Sequence, residues 1–374
     1  MKITSIETFP VRIPLKPERR MKSSLGQHIV SDYLVIRVST DADIDGVGEA
    51  TVMPRWSGET VWGAKAIIDN VFTPLLLGSD PGDIPAVDHT MDRAAAGNWF
   101  AKSAIEMACW DIQGKAAGKP VYELLGGAVR PLSIRCRFSM GAYEPDRARR
   151  RTQELVEEGF TTIKVKVGTD PDEDIERVRI VREVIGPDLE ILIDANTGWD
   201  AKTAIAAVKQ MEPYRVGVFE QPTTNGDYAA LAEVRRAVNP GMKVMADDIV
   251  FDLIHAQECI RNEACDVISL YPGKNGGIRK TKQIVDFCAS QNVACSIGSN
   301  LEWDIGSAAM CHVVVACQNM QVETYPGDIL GPEYHEFSIV TNPLKIEGPT
   351  ISITNQPGLG VDVDWAVVEK HRCA

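Results

Sequence analysis

The period of the apolar positions divides the chain in two. Near the start, Thr4, Ile6 and Thr8 alternate with Ser5 and Glu7, so MKITSIETFPVRIPL reads as a strand. SDYLVIRVST reads the same way, and DADIDGVGEA after it carries turn chemistry in Asp41, Asp43, Asp45 and Gly46. The period then lengthens. Helical patterns run from about Gly58 to Leu77 and from about Asn98 to Gly118; in the second, Phe100, Ala104, Met107, Ala108 and Ile112 share a face. Gly118 and Pro120 end that helix, and PVYELLGGAVRP closes this α+β part.

From about Leu132 short apolar runs alternate with longer amphipathic ones. The runs are IRCRFSM, TTIKVKV, LEILIDAN, VGVFEQP, MKVMADD, CDVISLY, VACSIGS and MQVETY. Helical stretches such as PDEDIERVRIVREVIG and IRKTKQIVDFCASQN separate them. Strand–helix alternation predicts a parallel sheet with crossover helices, and eight such strands predict a closed β/α barrel. The last stretch, from IVTNPLKIEGPT to the end, reads as hairpin-like strands and turns.

Composition narrows the class of partner. The 374 residues hold 39 Lys+Arg against 52 Asp+Glu, a net charge of −13. An acidic chain without a basic stripe is not expected to bind nucleic acid. No apolar run approaches the roughly 18 residues of a membrane helix, and no apolar signal core follows Met1, so no membrane association is expected. The nine cysteines are odd in number, form no CxxC and lie mostly in apolar runs. They are expected to be buried free thiols in a reducing cytoplasm.

Candidate chemistry gathers at the strand tips. Residues two apart share a face of a strand, so Lys164 and Lys166 point together, opposite Ile163 and Val165. Asp194, Glu220 and Asp247 end the next three strands, each one β/α unit after the last, which places three carboxylates at one level. Taken singly, such an Asp is an ordinary helix N-cap and KVK an ordinary solvated edge. Taken together, three acids facing one point need a cation, and hard oxygen donors on rigid strands suit Mg²⁺, with Mn²⁺ as a substitute. Paired lysines beside a metal lower one amine's hold on its proton, and such an amine can take a proton α to a carboxylate.

The combination KVK, DAN, FEQP and ADD resembles the enolase superfamily, in the muconate-lactonizing branch of the mandelate racemase/muconate lactonizing enzyme family. AKSAIEMACWDIQGKAAGKPVYELLGG and NQPGLGVDVD look like that family's cap signature and its carboxyl-terminal return to the cap. The resemblance implies an α+β cap at 1–127, a modified (β/α)7β TIM barrel at 128–338 and a tail at 339–374 completing the cap. It carries metal binding onto Asp194, Glu220 and Asp247, and the acid/base role onto Lys166 with Lys164 in support, an established pattern of enolase-type sites. Asn196, Trp56, Lys274, Ser299 and Glu302 become candidate contacts to a small carboxylate substrate. A homo-oligomer, dimer to octamer, is also implied.

One position departs from the branch. Where LKxxKxGG is usual, this chain reads Leu270, Tyr271, Pro272, Gly273, Lys274, Asn275, Gly276, Gly277, so Tyr271 replaces the second catalytic lysine. A phenol is a poor base and a plausible acid or hydrogen-bond donor; packing or substrate orientation is the alternative for Tyr271. One-face chemistry remains, and a Mg²⁺-dependent cycloisomerase is the leading expectation. A hydroxy-acid or sugar-acid dehydratase is the alternative, an epimerase of amino-acid derivatives ranks third, and a binding module without turnover is the non-enzymatic case. KPERRMKSSLGQHIV and MPRWSGET are the expected loops over the barrel mouth, with Lys16, Arg19, Arg20, Lys22 and His28 read as residues of a solvated first loop.

Overall fold

The N-terminal alternation produces β1 (Ile3–Pro14), a small hairpin of β2 (Met21–Ser23) and β3 (Gly26–His28), then β4 (Val30–Thr40) and β5 (Asp45–Ala50) in a computed structural model describing residues 1–373. Strands β1, β4 and β5 form an antiparallel sheet in that order. The helix Trp99–Ala117 lies directly on β5. A Cβ at Gly48 would stand 1.9 Å from the Ala104 carbonyl oxygen, and one at Gly46 2.1 Å from that of Ala108, so only glycine permits this approach. Leu34, Ile36 and Val38 meet Phe72, Phe100 and Ile105 in the core between them.

The second half contains β6 (Ser133–Arg135), β7 (Phe138–Met140), β8 (Thr162–Lys166), β9 (Glu190–Asp194), β10 (Val218–Glu220), β11 (Lys243–Ala246), β12 (Val267–Leu270) and β13 (Ala294–Ile297). Strands β7 to β13 form one parallel sheet in sequential order, with helices such as Pro145–Glu157, Pro171–Ile185 and Ile278–Ser290 as crossovers. Strand parity sorts its two faces. Ile163, Val165, Ile191, Ile193, Phe219, Val244 and Ile268 pack outward in the large core. Leu192, Val218, Met245 and Val267 form a separate apolar floor inside the curl, with Ala294 and Tyr325 against it. Residues two further along the same face, Asp194, Glu220, Asp247 and Ser269, therefore stand above that floor.

Two expected barrel strands are different. IRCRFSM splits: Ser133–Arg135 leaves the barrel to join β14 (Lys345–Glu347) and β15 (Thr350–Ser352), and only Phe138–Met140 enters the parallel sheet. MQVETY is not a strand. Met320 makes a single bridge to Cys295, and Gly327 accepts from the Arg137 amide at 2.8 Å, so irregular chain spans the gap between the two edges. The fold is thus mixed α/β, with a curled parallel half-barrel rather than eight regular strands.

The tail reaches back as well. Gly358 bridges Pro120, and Arg372 bridges Val11. The buried carboxylate of Asp111 accepts from the amides of Val47 at 3.1 Å and Leu359 at 2.9 Å, holding β5 and the tail together. Among the described residues all nine cysteines are free, eight of them buried. No described helix is long and apolar enough to cross a membrane.

Candidate active site

Adjacent strands deliver the acids and lysines to one face. Lys166 on β8 and Glu220 on β10 are both register partners of Asp194 on β9. Glu220 pairs in turn with Met245, so Asp247 stands two residues further out on the same face. The three acids are therefore stepped rather than level, because register partners are not sequence-equivalent positions in a staggered sheet. The chain turns sharply at these tips: Asn196 has φ 40°, Thr197 66° and Gln221 35°.

The lysines bind the acids directly. Lys164 Nζ donates to Asp194 Oδ2 and Glu220 Oε1, each at 2.9 Å. Lys166 Nζ donates to Asp194 Oδ2 at 2.5 Å and to Asn196 Oδ1 at 2.6 Å. Lys274 Nζ is fully buried and donates to the Asp247 carboxylate, to the Asp247 carbonyl at 2.8 Å and to the Ser269 carbonyl at 2.9 Å. All three of these partners lie on the β11 and β12 tips. Among the described residues no three acids, histidines or thiols converge as a ready-made ion cage, since ammonium groups lie between the carboxylates. The donor set nonetheless fits a hard divalent cation: three carboxylates at most 6% exposed, on rigid strands, whose charge is now met only by side-chain cations.

Burial and neighbours set the charge states. Burial raises Glu220 to about 7, helped by Asp194 and opposed by Lys164 and Arg137. Asp194 goes the other way: burial opposes its charge, but Lys164 and Lys166 outweigh it. Lys164 is also pushed above the ordinary lysine range; burial and Arg137 work against its charge, and Asp194, Glu220 and Asp247 prevail. Asp248 is raised well above the carboxylate range by burial, then by Asp247 and Asp194.

Tyr271 follows β12 and is 2% exposed, with its phenol raised well above 10 by burial and by Asp247 and Asp248. The phenol oxygen has no hydrogen-bond partner among the described residues, although the ring lies 4.5 Å from Lys274 Nζ and stacks at 5.7 Å on Trp56. Trp56 also meets Phe100 and Phe251, so it walls the tip of β12. Ser299 and Glu302 are brought together at 2.7 Å, and Glu302 also accepts from the Asn300 amide. They satisfy each other and do not reach for the lysines.

The first loop closes over the site. Ser24, between β2 and β3, donates to the carbonyls of Ala195 at 3.0 Å and Asn196 at 2.8 Å. Its charges are only partly solvated: Arg20 and Lys22 are exposed, but Arg19 lies over the Phe138 and Tyr334 rings and Lys16 pairs with Glu333 at 3.6 Å. His28 turns inward to Ser31 at 3.0 Å.

Two residues escaped the sequence reading. Gln221 accepts from the Asp247 amide at 3.0 Å and donates to Thr223 O at 3.0 Å, fixing the third acid from the tip that carries the second. Arg137, wholly buried, donates to Glu220 Oε2 at 3.1 Å. Parity was the available signal, because Arg137 shares its face with Ser139, the register partner of Lys164.

Residues 147–367 match the family model "Enolase C-terminal domain-like", and residues 4–126 match "Mandelate racemase / muconate lactonizing enzyme, N-terminal domain". The hydrophobic dipeptide epimerase of Enterococcus faecalis is 31% identical over 96% of this chain and 99% of its own. Muconate cycloisomerase 1 of Rhodococcus opacus is 30% identical over 99% and 98%. Among solved structures, the Enterococcus faecalis dipeptide epimerase complexed with Mg and the dipeptide L-Leu-L-Tyr superposes with a TM-score of 0.90, at 30% identity over 97% of this chain and 100% of that one.

Proposed function

The chain belongs to the mandelate racemase/muconate lactonizing enzyme family of the enolase superfamily, and from that premise we propose that it removes water from a small β-hydroxy carboxylate by one-face proton transfer. Lys166, as the neutral amine, takes the proton α to the carboxylate and becomes the ammonium that donates to Asp194 and Asn196. The electron pair of that C–H bond moves first into the carboxylate, and then forms the Cα–Cβ double bond as the Cβ–O bond breaks. Tyr271 gives its phenolic proton to the departing hydroxyl, which leaves as water, and the phenolate regains a proton from solvent. Asp194, Glu220 and Asp247 would hold a divalent cation such as Mg²⁺, which when bound supplies charge neutralisation for the negative charge growing on the carboxylate.

One observation carries this reading. Tyr271 stands where the second lysine is usual, at the tip of the fourth strand from β8, with a neutral phenol that has no hydrogen-bond partner among the described residues. Proton removal on both faces needs an acceptor on each, and a phenol, protonated at neutral pH, offers a proton rather than taking one. Epimerisation, the activity named for the Enterococcus faecalis relative, is therefore disfavoured. Cycloisomerisation, the activity named for the Rhodococcus opacus relative, is the second reading. Lys166 alone suffices for it, and Tyr271 then only packs against Trp56. In both readings residues 1–127 and the tail form a cap whose Ser24 loop shields the lysines at the mouth of a modified barrel.

A panel of hydroxy acids, sugar acids and muconates decides between them. Loss of water with a new C=C absorbance supports elimination, and lactone formation supports cycloisomerisation. Deuterium exchange at Cα with inversion, and no net product, would overturn both.

A further inference from the structure

Arg137 lies below the acids and has no place in the proton transfers. Its side chain is completely buried, yet among the described residues it makes only two polar side-chain contacts. Nη2 donates to Glu220 Oε2 at 3.1 Å, and Nη1 donates to the Pro326 carbonyl at 3.1 Å. Nε is buried without a partner. Its backbone amide donates to Gly327 at 2.8 Å, so the residue is pinned by the same irregular segment that spans the two sheet edges. A buried guanidinium with one donor left unsatisfied is costly, and an apolar residue at an inward position of β7's leading end would avoid that cost.

What the arrangement achieves is visible at Glu220. Its two oxygens have different partners: Oε2 belongs to Arg137, and Oε1 points to the Asp194 side, where Lys164 meets it at 2.9 Å. We propose that Arg137 is a positioning residue that makes Glu220 a single-oxygen donor, reserving Oε1 for the cation and so favouring Mg²⁺ over Ca²⁺. The inference rests on Asp194, Glu220 and Asp247 being the ligands. The physical basis is coordination number. Mg²⁺ demands six close, ordered ligands and keeps several waters, which suits one oxygen per carboxylate. Ca²⁺ takes six to eight ligands and accepts a bidentate carboxylate. Freed from the guanidinium, Glu220 can turn both oxygens upward.

The test uses the full-length protein and Mn²⁺, Mg²⁺ and Ca²⁺ alone. Mn²⁺ binding is followed by electron paramagnetic resonance, and Mg²⁺ and Ca²⁺ are titrated as competitors, so no turnover is needed. Arg137→Met should weaken Mn²⁺ and Mg²⁺ about 10- to 100-fold, the usual effect of losing a group that orients a ligand. It should also shift the Ca²⁺ to Mg²⁺ affinity ratio toward Ca²⁺ by about tenfold. If Arg137→Met does not fold, Arg137→Lys carries the test. It keeps the charge but loses the rigid fork by which two guanidinium nitrogens reach Glu220 Oε2 and the Pro326 carbonyl from fixed directions, and the ratio should shift the same way. A folded variant with an unchanged ratio overturns the inference while leaving the ligand assignment standing. Wild-type protein that binds none of the three ions removes the ligand assignment, and the inference with it.

Discussion

Lys166 Nζ lies 2.6 Å from Oδ1 of Asn196, a residue whose backbone has turned to φ 40° just past the tip of the next strand. The strained turn aims the amide oxygen at the ammonium, and the first loop covers it through Ser24. Asn196 thus acts as a guide for the base. Lys166→Ala should abolish turnover, by at least about a thousandfold, with the fold retained. Asn196→Ala should lower kcat about tenfold or more while leaving cation binding close to wild type. Normal kcat in the alanine variant would show that Lys166 needs no such guide.

Tyr271→Phe removes one oxygen that bonds to nothing in the protein, so thermal stability should change by less than about 1 kcal/mol. Under elimination, turnover should fall on the order of a thousandfold, the range expected for loss of a general acid. Isotope exchange at Cα should survive, because Lys166 still removes the proton. If water loss proceeds at an undiminished rate, the phenol is a packing residue and cycloisomerisation becomes the better reading.

The three acids proposed to hold a cation are buried on separate strands, so its binding would be tied to the folded state. Treatment with EDTA should therefore inactivate the enzyme, and Mg²⁺ should restore it. Adding Mg²⁺ at about 100 times its Kd should also raise the unfolding free energy by roughly 2.7 kcal/mol. A melting temperature indifferent to millimolar Mg²⁺, together with chelator-resistant turnover, would count against the three ligands.

Periodicity revealed most of the parallel sheet because each strand, buried on its outer face, repeats apolar residues two apart, as in Ile163 and Val165 or Ile191 and Ile193. It misled at the edges. MQVETY has strand composition, but its chain makes only one bridge, and irregular backbone does the closing through Gly327. The acids and lysines were legible as a set because their spacing repeats the β/α unit. Their stepped register was not, since stagger is a property of the closed sheet rather than of any one strand. Gln221 stood in plain view inside FEQP, but its bond to the Asp247 amide joins two strands and has no local signature.

A relay of neutral histidines under the first loop gives the last expectation. His335 Nδ1 lies 2.8 Å from the Gly331 carbonyl, so that nitrogen carries the proton and Nε2 must accept. Ser31 Oγ, 2.8 Å away, then donates to His335 and accepts from His28 Nε2 at 3.0 Å. A second proton on His335 would force the Ser31 hydroxyl to turn its own proton away and accept from both rings. Burial lowers His335 to about 3, opposed by the Gly331 carbonyl and reinforced by His28 and Lys16, and burial lowers His28 to about 4. In the unfolded chain a histidine titrates near 6.5, so below that pH the unfolded state binds protons that the folded state refuses. The stabilisation is complete above about 6.5 and drains away as pH falls toward these lowered values. Urea unfolding of wild type and His335→Gln at pH 7, 6 and 5 isolates the group from the acids that titrate in the same range. Wild type should lose stability relative to the variant, by about 1 kcal/mol per pH unit once below 6.5. Parallel curves would mean that His335 is free to take its proton in the fold, and that the Gly331–His335–Ser31–His28 chain is not held in one direction.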